Sequence, residues 1–80
     1  MKVDFKKDSQ EFNFFMDFWN HVKSYYMVDG KSDRYWEGLI NSSSAIHERY
    51  GRSETKIGRL AKHLLCAFND FCEAEANRRD

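Results

Sequence analysis

No proline occurs anywhere in the chain. Nothing therefore forces a helix to break or kink from within. There is no apolar run long enough to cross a membrane, and no low-complexity linker or internal repeat to mark a second domain. Net charge is missing too: thirteen basic residues cancel thirteen acidic ones. A neutral chain lacks the field of a general nucleic-acid binder, although a local basic patch could still act. Cysteine is scarce. Cys66 and Cys72 lie six apart on what reads as one helix, about 240° from each other around its axis and roughly 9–10 Å apart along it. They cannot form a bridge within that helix, and an oxidising compartment is not indicated. The first residues, Met1-Lys2-Val3-Asp4-Phe5-Lys6-Lys7-Asp8, are charged and lack the apolar centre of a signal peptide. The expected location is the cytoplasm.

Aromatic residues are what the chain has in excess. Seven Phe, four Tyr and two Trp stand among eighty residues, an economical way to fill a core in a single domain near the lower size limit for unaided folding. Their periodicity is helical. The pattern predicts an all-α fold, a small antiparallel three-helix bundle with helices near residues 9–26, 33–50 and 54–76 and a flexible segment at 1–8. Asp8 or Ser9 supplies the first cap, with Glu11 placed for a capping box. Ser32 or Asp33 supplies the second, Gly51 ends the second helix, and Ser53 caps the third. Asp29-Gly30 provides turn chemistry between the first two helices.

The first helix carries more apolar surface than one core face requires. Phe12, Phe15, Met16, Trp19, Val22 and Tyr26 form one stripe, and Phe14, Phe18 and Tyr25 form a second beside it. Together they cover roughly half the helix, against the ~100° of an ordinary surface helix. The first stripe is expected to face the core. The second is expected to face outward as a docking strip anchored by Phe14, Phe18 and Tyr25, with His21 and Lys23 at its edge. The competing possibility is that Phe14 and Phe18 are covered, either by Phe5 folding back or by the last turns of the third helix. In the second helix the expected core residues are Tyr35, Trp36, Leu39, Ile40, Ile46 and Tyr50, with Ser43 among them and His47 at the edge. In the third they are Ile57, Leu60, Ala61, Leu64, Ala67, Phe68, Phe71 and Cys72.

Two other constellations bear on function. The string Ile46-His47-Glu48-Arg49-Tyr50-Gly51-Arg52-Ser53-Glu54-Thr55-Lys56-Ile57-Gly58-Arg59-Leu60 is similar to a bacterial helix-turn-helix. Arg52, Lys56, Arg59 and Lys62 would be its DNA-facing cations, in a stretch whose local charge balance is +3. His47 and Arg52 depart from that pattern, since those positions usually hold a small residue and an apolar one. The other constellation is His63, Cys66 and Asp70 on one outer face, with Cys66 nearly opposite the core stripe. A stable metal site needs about two further ligands, and no metal or other cofactor is expected. Phosphate-binding glycine loops, nucleophile elbows and paired catalytic carboxylates do not occur. Asp17, Glu37 and Glu48 read as solvated. A non-enzymatic protein without a small-molecule substrate is the expectation.

The segments Phe18-Trp19-Asn20-His21-Val22-Lys23-Ser24-Tyr25-Tyr26, Ser32-Asp33-Arg34-Tyr35-Trp36-Glu37-Gly38-Leu39-Ile40 and Leu60-Ala61-Lys62-His63-Leu64-Leu65-Cys66-Ala67-Phe68-Asn69-Asp70-Phe71 resemble a group of short helical proteins. That group is encoded in prophages and other mobile elements of Gram-positive gut bacteria, and the likeness spans roughly residues 12–73. It implies a helical fold and a context in which small proteins bind host proteins as inhibitors, adaptors or anti-defence factors, or serve as regulators. It assigns no functional residue. Together these readings favour a protein–protein interaction module with a protein partner or a second copy of itself, and no membrane. DNA binding through the basic half of the third helix is the alternative.

Overall fold

The computed structural model describes residues 2–78; Met1, Arg79 and Asp80 lie outside the described residues. Three helices follow one another: α1 (Gln10–Tyr25), α2 (Asp33–Arg49) and α3 (Lys56–Ala76), with a 3₁₀ turn at Arg52–Glu54 before the last. Each helix begins at a hydroxyl cap that accepts one of the amides a helix start leaves unpaired. Ser9 accepts from the Phe12 amide, Ser32 from the Tyr35 amide and Thr55 from the Gly58 amide. The third cap is Thr55 and not Ser53, because residues 52–54 are spent in the 3₁₀ turn. Arg52 there takes a positive φ of 55°.

The ends are equally specific. Gly51, at φ 91°, terminates α2 in a left-handed conformation that a side chain would strain. No glycine ends α1. Its last carbonyl, at Tyr25, accepts from the Tyr35 hydroxyl at 2.7 Å and from the Cys72 thiol at 3.8 Å. Helices α2 and α3 thus supply the partners that a glycine cap would otherwise provide.

Side-chain pairs fix the topology. Asp17 meets Arg49 and Tyr50 at the end of α2, whereas Tyr25 meets Tyr35 at its beginning, so α1 and α2 are antiparallel. Phe14 packs into the cluster that holds Ile57, Ala61 and Leu65, while the Tyr25 carbonyl reaches Cys72, so α1 and α3 are parallel. The core is Phe14, Leu39, Ile46, Tyr50, Ile57, Ala61, Leu65 and Cys72. Phe14 is its largest fully buried side chain. It lies edge-on to Tyr50 at 5.5 Å and stacks on Phe18 at 5.8 Å.

The expected fold class stands, but α1 is rotated by roughly a third of a turn from its expected orientation. The stripe of Phe14, Phe18 and Tyr25 faces inward. Phe14 is 0% exposed, and Phe18 and Tyr25 are half-buried. Helix three provides part of the cover, through an edge contact of Phe68 on Phe18 at 6.5 Å. Phe5 does not fold back over Phe14; it is itself exposed. Of the stripe assigned to the core, Phe12, Phe15, Met16, Trp19 and Tyr26 are exposed and Val22 is half-buried. Smaller corrections of the same kind apply elsewhere. Ile40, Leu60, Ala67 and Phe71 are exposed, and Leu65 is buried in their stead.

Candidate functional site

The rotation of α1 follows from its polar residues. His21 shares a face with Phe14, Phe18 and Tyr25, and it is 2% exposed. A buried imidazole is tolerated only if both ring nitrogens are satisfied, and two other helices bring the partners. The Ser42 hydroxyl lies 2.8 Å from Nδ1, and the Asn69 side-chain oxygen lies 3.3 Å from Nε2. The Asn69 amide donates to the Ser43 hydroxyl at 2.8 Å, and Ser43 donates in turn to the Leu39 carbonyl at 2.8 Å. These connections select one tautomer. Nε2–H donates to Asn69, whose oxygen can only accept, and Nδ1 accepts from Ser42. Burial holds the imidazole pKa below its ordinary 6.5, and the neutral form is the one that this network uses.

A second polar group closes the same face one turn earlier. Asp17 accepts from the Tyr50 hydroxyl at 2.5 Å and from Arg49 at 2.8 Å. Asp17 is therefore no solvated acid: it ties α1 to the end of α2. Burial and the bond to Asp17 push the Tyr50 phenol up to about 12. An open cleft of about 240 Å³ lies over both groups, lined by Asp17, Asn20, His21, Ser24, Ser42 and Arg49 among others.

The order Ser42–His21–Asn69 has the connectivity of a hydroxyl activated by an oriented imidazole. Ser42 sits in the middle of α2, where the backbone amides are engaged in the helix ladder. Every polar atom of the three side chains is used to satisfy another. The arrangement serves as a polar joint among three helices.

The outward face of α1 is different in kind. Phe12, Phe15, Met16, Trp19 and Tyr26 are between 36% and 60% exposed and lie on one stripe. The strip continues onto α3 through Phe71, 41% exposed, whose ring stacks on Tyr26 at 6.2 Å. Lys23 lies on the same stripe with its ammonium 5.9 Å from the Trp19 ring centre, so even the cation here covers aromatic surface. At roughly 200 Å² for a large side chain, these residues expose on the order of 600 Å² of contiguous surface. That is at the upper end for the largest apolar patch of a typical monomer, about 300–600 Å².

The expected site residues therefore divide. Phe14, Phe18, Tyr25 and His21 belong to the inner face and hold the bundle together, which corrects their placement as an outer strip. Lys23 alone sits at the edge of an exposed strip, and that strip consists of residues assigned to the core. The wheel alone cannot choose between the two faces. The usable signal was the coincidence of His21 with the Phe14 stripe and of Ser43 with the core stripe of α2, two polar residues at core positions that can meet.

The four cations of the helix-turn-helix reading are all exposed. Two have local partners: Arg52 lies 3.6 Å from Glu48, and Arg59 donates to the Ser53 carbonyl at 2.9 Å. Lys56 lines an apolar groove of about 410 Å³ with Val3, Phe5, Ile57 and Leu60, and Lys62 borders a shallow pocket with His47 and Cys66. Of the apolar positions that this motif requires, Ile46, Tyr50 and Ile57 are buried and Leu60 is not. Cys66 is exposed and Cys72 buried, both as free thiols, and His63 and Asp70 are exposed. Among the described residues no three His, Cys, Asp or Glu side chains are grouped to hold a metal, and no helix is long and apolar enough to cross a membrane. Comparison with known proteins returns no matching family model, curated protein or solved structure.

Proposed function

We propose that the protein is a non-enzymatic interaction module of the cytoplasm, which binds a protein through the outward face of α1. The exposed strip of Phe12, Phe15, Met16, Trp19 and Tyr26 carries this reading. Its polar joint makes the division of α1 into two faces unambiguous, since His21 and Asp17 commit the other face to α2 and α3. Interface cores are enriched in aromatic residues and Met and depleted of charge. The strip has that composition, with Trp19 at its centre and Lys23 at its rim. The resemblance to small proteins of prophages and mobile elements accords with a role as an inhibitor or adaptor acting on a host protein.

The test is affinity capture of the tagged chain from lysate of its own organism, with and without nuclease, using wild type and Trp19→Asp. A stoichiometric protein that survives nuclease and is lost with Trp19→Asp supports the reading. Recovery of nucleic acid, or loss of bound material on substituting Arg52, Lys56, Arg59 and Lys62 by glutamine, transfers the function to the basic half of α3. Such binding would weaken by close to one unit of log–log slope per phosphate contact as salt rises.

A further inference from the structure

We infer that the occupant of the α1 strip is a second copy of this chain, docked antiparallel about a two-fold axis near Trp19. The inference rests on the strip being a docking surface and names what it docks. Spacing is the first argument. Phe12, Trp19 and Tyr26 recur every seven residues, with Phe15 and Val22 between them, the a and d positions of a heptad seam. The a positions are symmetric about Trp19, while reflection carries the d residues Phe15 and Val22 onto Lys23 and Met16 of the wider strip. A two-fold axis there sets Phe12 of one copy opposite Tyr26 of the other, Met16 opposite Val22, and the two Trp19 rings against each other. An isologous contact requires such a self-complementary patch.

Charge is the second argument. The chain is neutral, so two copies meet without net repulsion. The seam carries one charged residue, Lys23, and the axis brings it opposite Phe15 and not against its own copy. It can cover that ring as it already covers Trp19. Area is the third. On the order of 600 Å² from each copy gives roughly 1,200 Å² in total, the lower bound of stable specific interfaces. At that size the dimer belongs with the weak, reversible interfaces.

Sedimentation velocity of the full chain, from about 1 µM to about 500 µM, reads the equilibrium directly. The expected result is a concentration-dependent monomer–dimer equilibrium. Trp19→Asp and Met16→Lys should each weaken it at least ~30-fold while keeping the wild-type helical circular dichroism. Independently of those variants, Trp19→Cys in a Cys66→Ser background should cross-link into a covalent dimer under mild oxidation, because the axis passes through that position. A wild type that stays monomeric across the range overturns the inference. So does a dimer that tolerates both variants, or a Trp19→Cys protein that dimerises but does not cross-link. A monomeric wild type that still captures a protein lost on Trp19→Asp would overturn the second copy and leave the docking surface standing. A monomer that captures nothing would remove both.

Discussion

Replacing Phe14 by alanine should unfold this protein or bring it to the edge of unfolding. The side chain is 0% exposed and sits among Tyr50, Phe18, Ile46, Ile57, Ala61 and Leu65 from all three helices. Truncation removes the transfer free energy of a buried ring and leaves a cavity that the neighbours fill only in part. Phe→Ala changes of this kind cost about 3–5 kcal/mol. The edge contact with Tyr50 and the stack on Phe18 place Phe14 at the upper end. An eighty-residue domain has on the order of 4–12 kcal/mol in total. In urea, at a slope of about 1 kcal/mol per molar for so small a protein, the midpoint should fall by about 3 M or more. Trp19→Ala provides the contrast. Trp19 is 57% exposed and should change stability by no more than about 0.5 kcal/mol, the ordinary range for a surface position. The assay is equilibrium urea denaturation followed by circular dichroism at 222 nm. A Phe14→Ala midpoint within about 1 M of wild type, or a Trp19→Ala variant as unstable as Phe14→Ala, would refute the assignment of faces on α1.

The remaining predictions concern the joints that hold the bundle. Burial keeps the folded His21 imidazole below 6.5, so the unfolded chain takes up the proton first and stability falls as pH drops below about 6.5 toward the lowered folded value. The slope is at most about 1.4 kcal/mol per pH unit for one proton. Urea midpoints at pH 7.5 and 5.5 should show the loss, and His21→Gln should flatten it while lowering stability at both pH values. Tyr50→Phe removes a hydrogen bond to a carboxylate and should cost about 1.5–3 kcal/mol in the same assay. Asp17→Asn leaves an acceptor for Tyr50 and should cost less. Gly58→Ala is a change in the first turn of α3 that propensity alone would make favourable, by less than the ~1 kcal/mol of a helix interior. Here the added Cβ would overlap the Arg52 carbonyl, so it should destabilise, and a raised melting temperature would disprove the close packing of α3 on the 3₁₀ turn.

Much of the scaffold was legible because its signals are local. Ser9, Ser32 and Gly51 act as cap, cap and terminator through backbone geometry that a few neighbouring residues determine. Thr55 escaped because Ser53 offers the same hydroxyl two residues earlier, and only the 3₁₀ turn distinguishes them. The excess of apolar surface on α1 was legible, but its orientation was not. Both stripes are aromatic, so hydrophobic periodicity weighs them nearly equally. What decides is long-range: His21 needs Ser42 from α2 and Asn69 from α3, and Asp17 needs Tyr50. Helix three shows the same limitation. Its buried face is turned toward Leu65 and away from Leu60 and Phe71, because α1 presents Phe14 and not Phe15.

The claim that α1 carries one face for the fold and one for a partner is tested most directly on a single Trp19→Asp sample, melted thermally and assayed for association. The account predicts a midpoint within about 4 °C of wild type, since a surface change of about 0.5 kcal/mol moves a domain of this size no further, together with loss of the bound protein or second copy. A midpoint lowered by more than about 10 °C, or association undiminished, would contradict it.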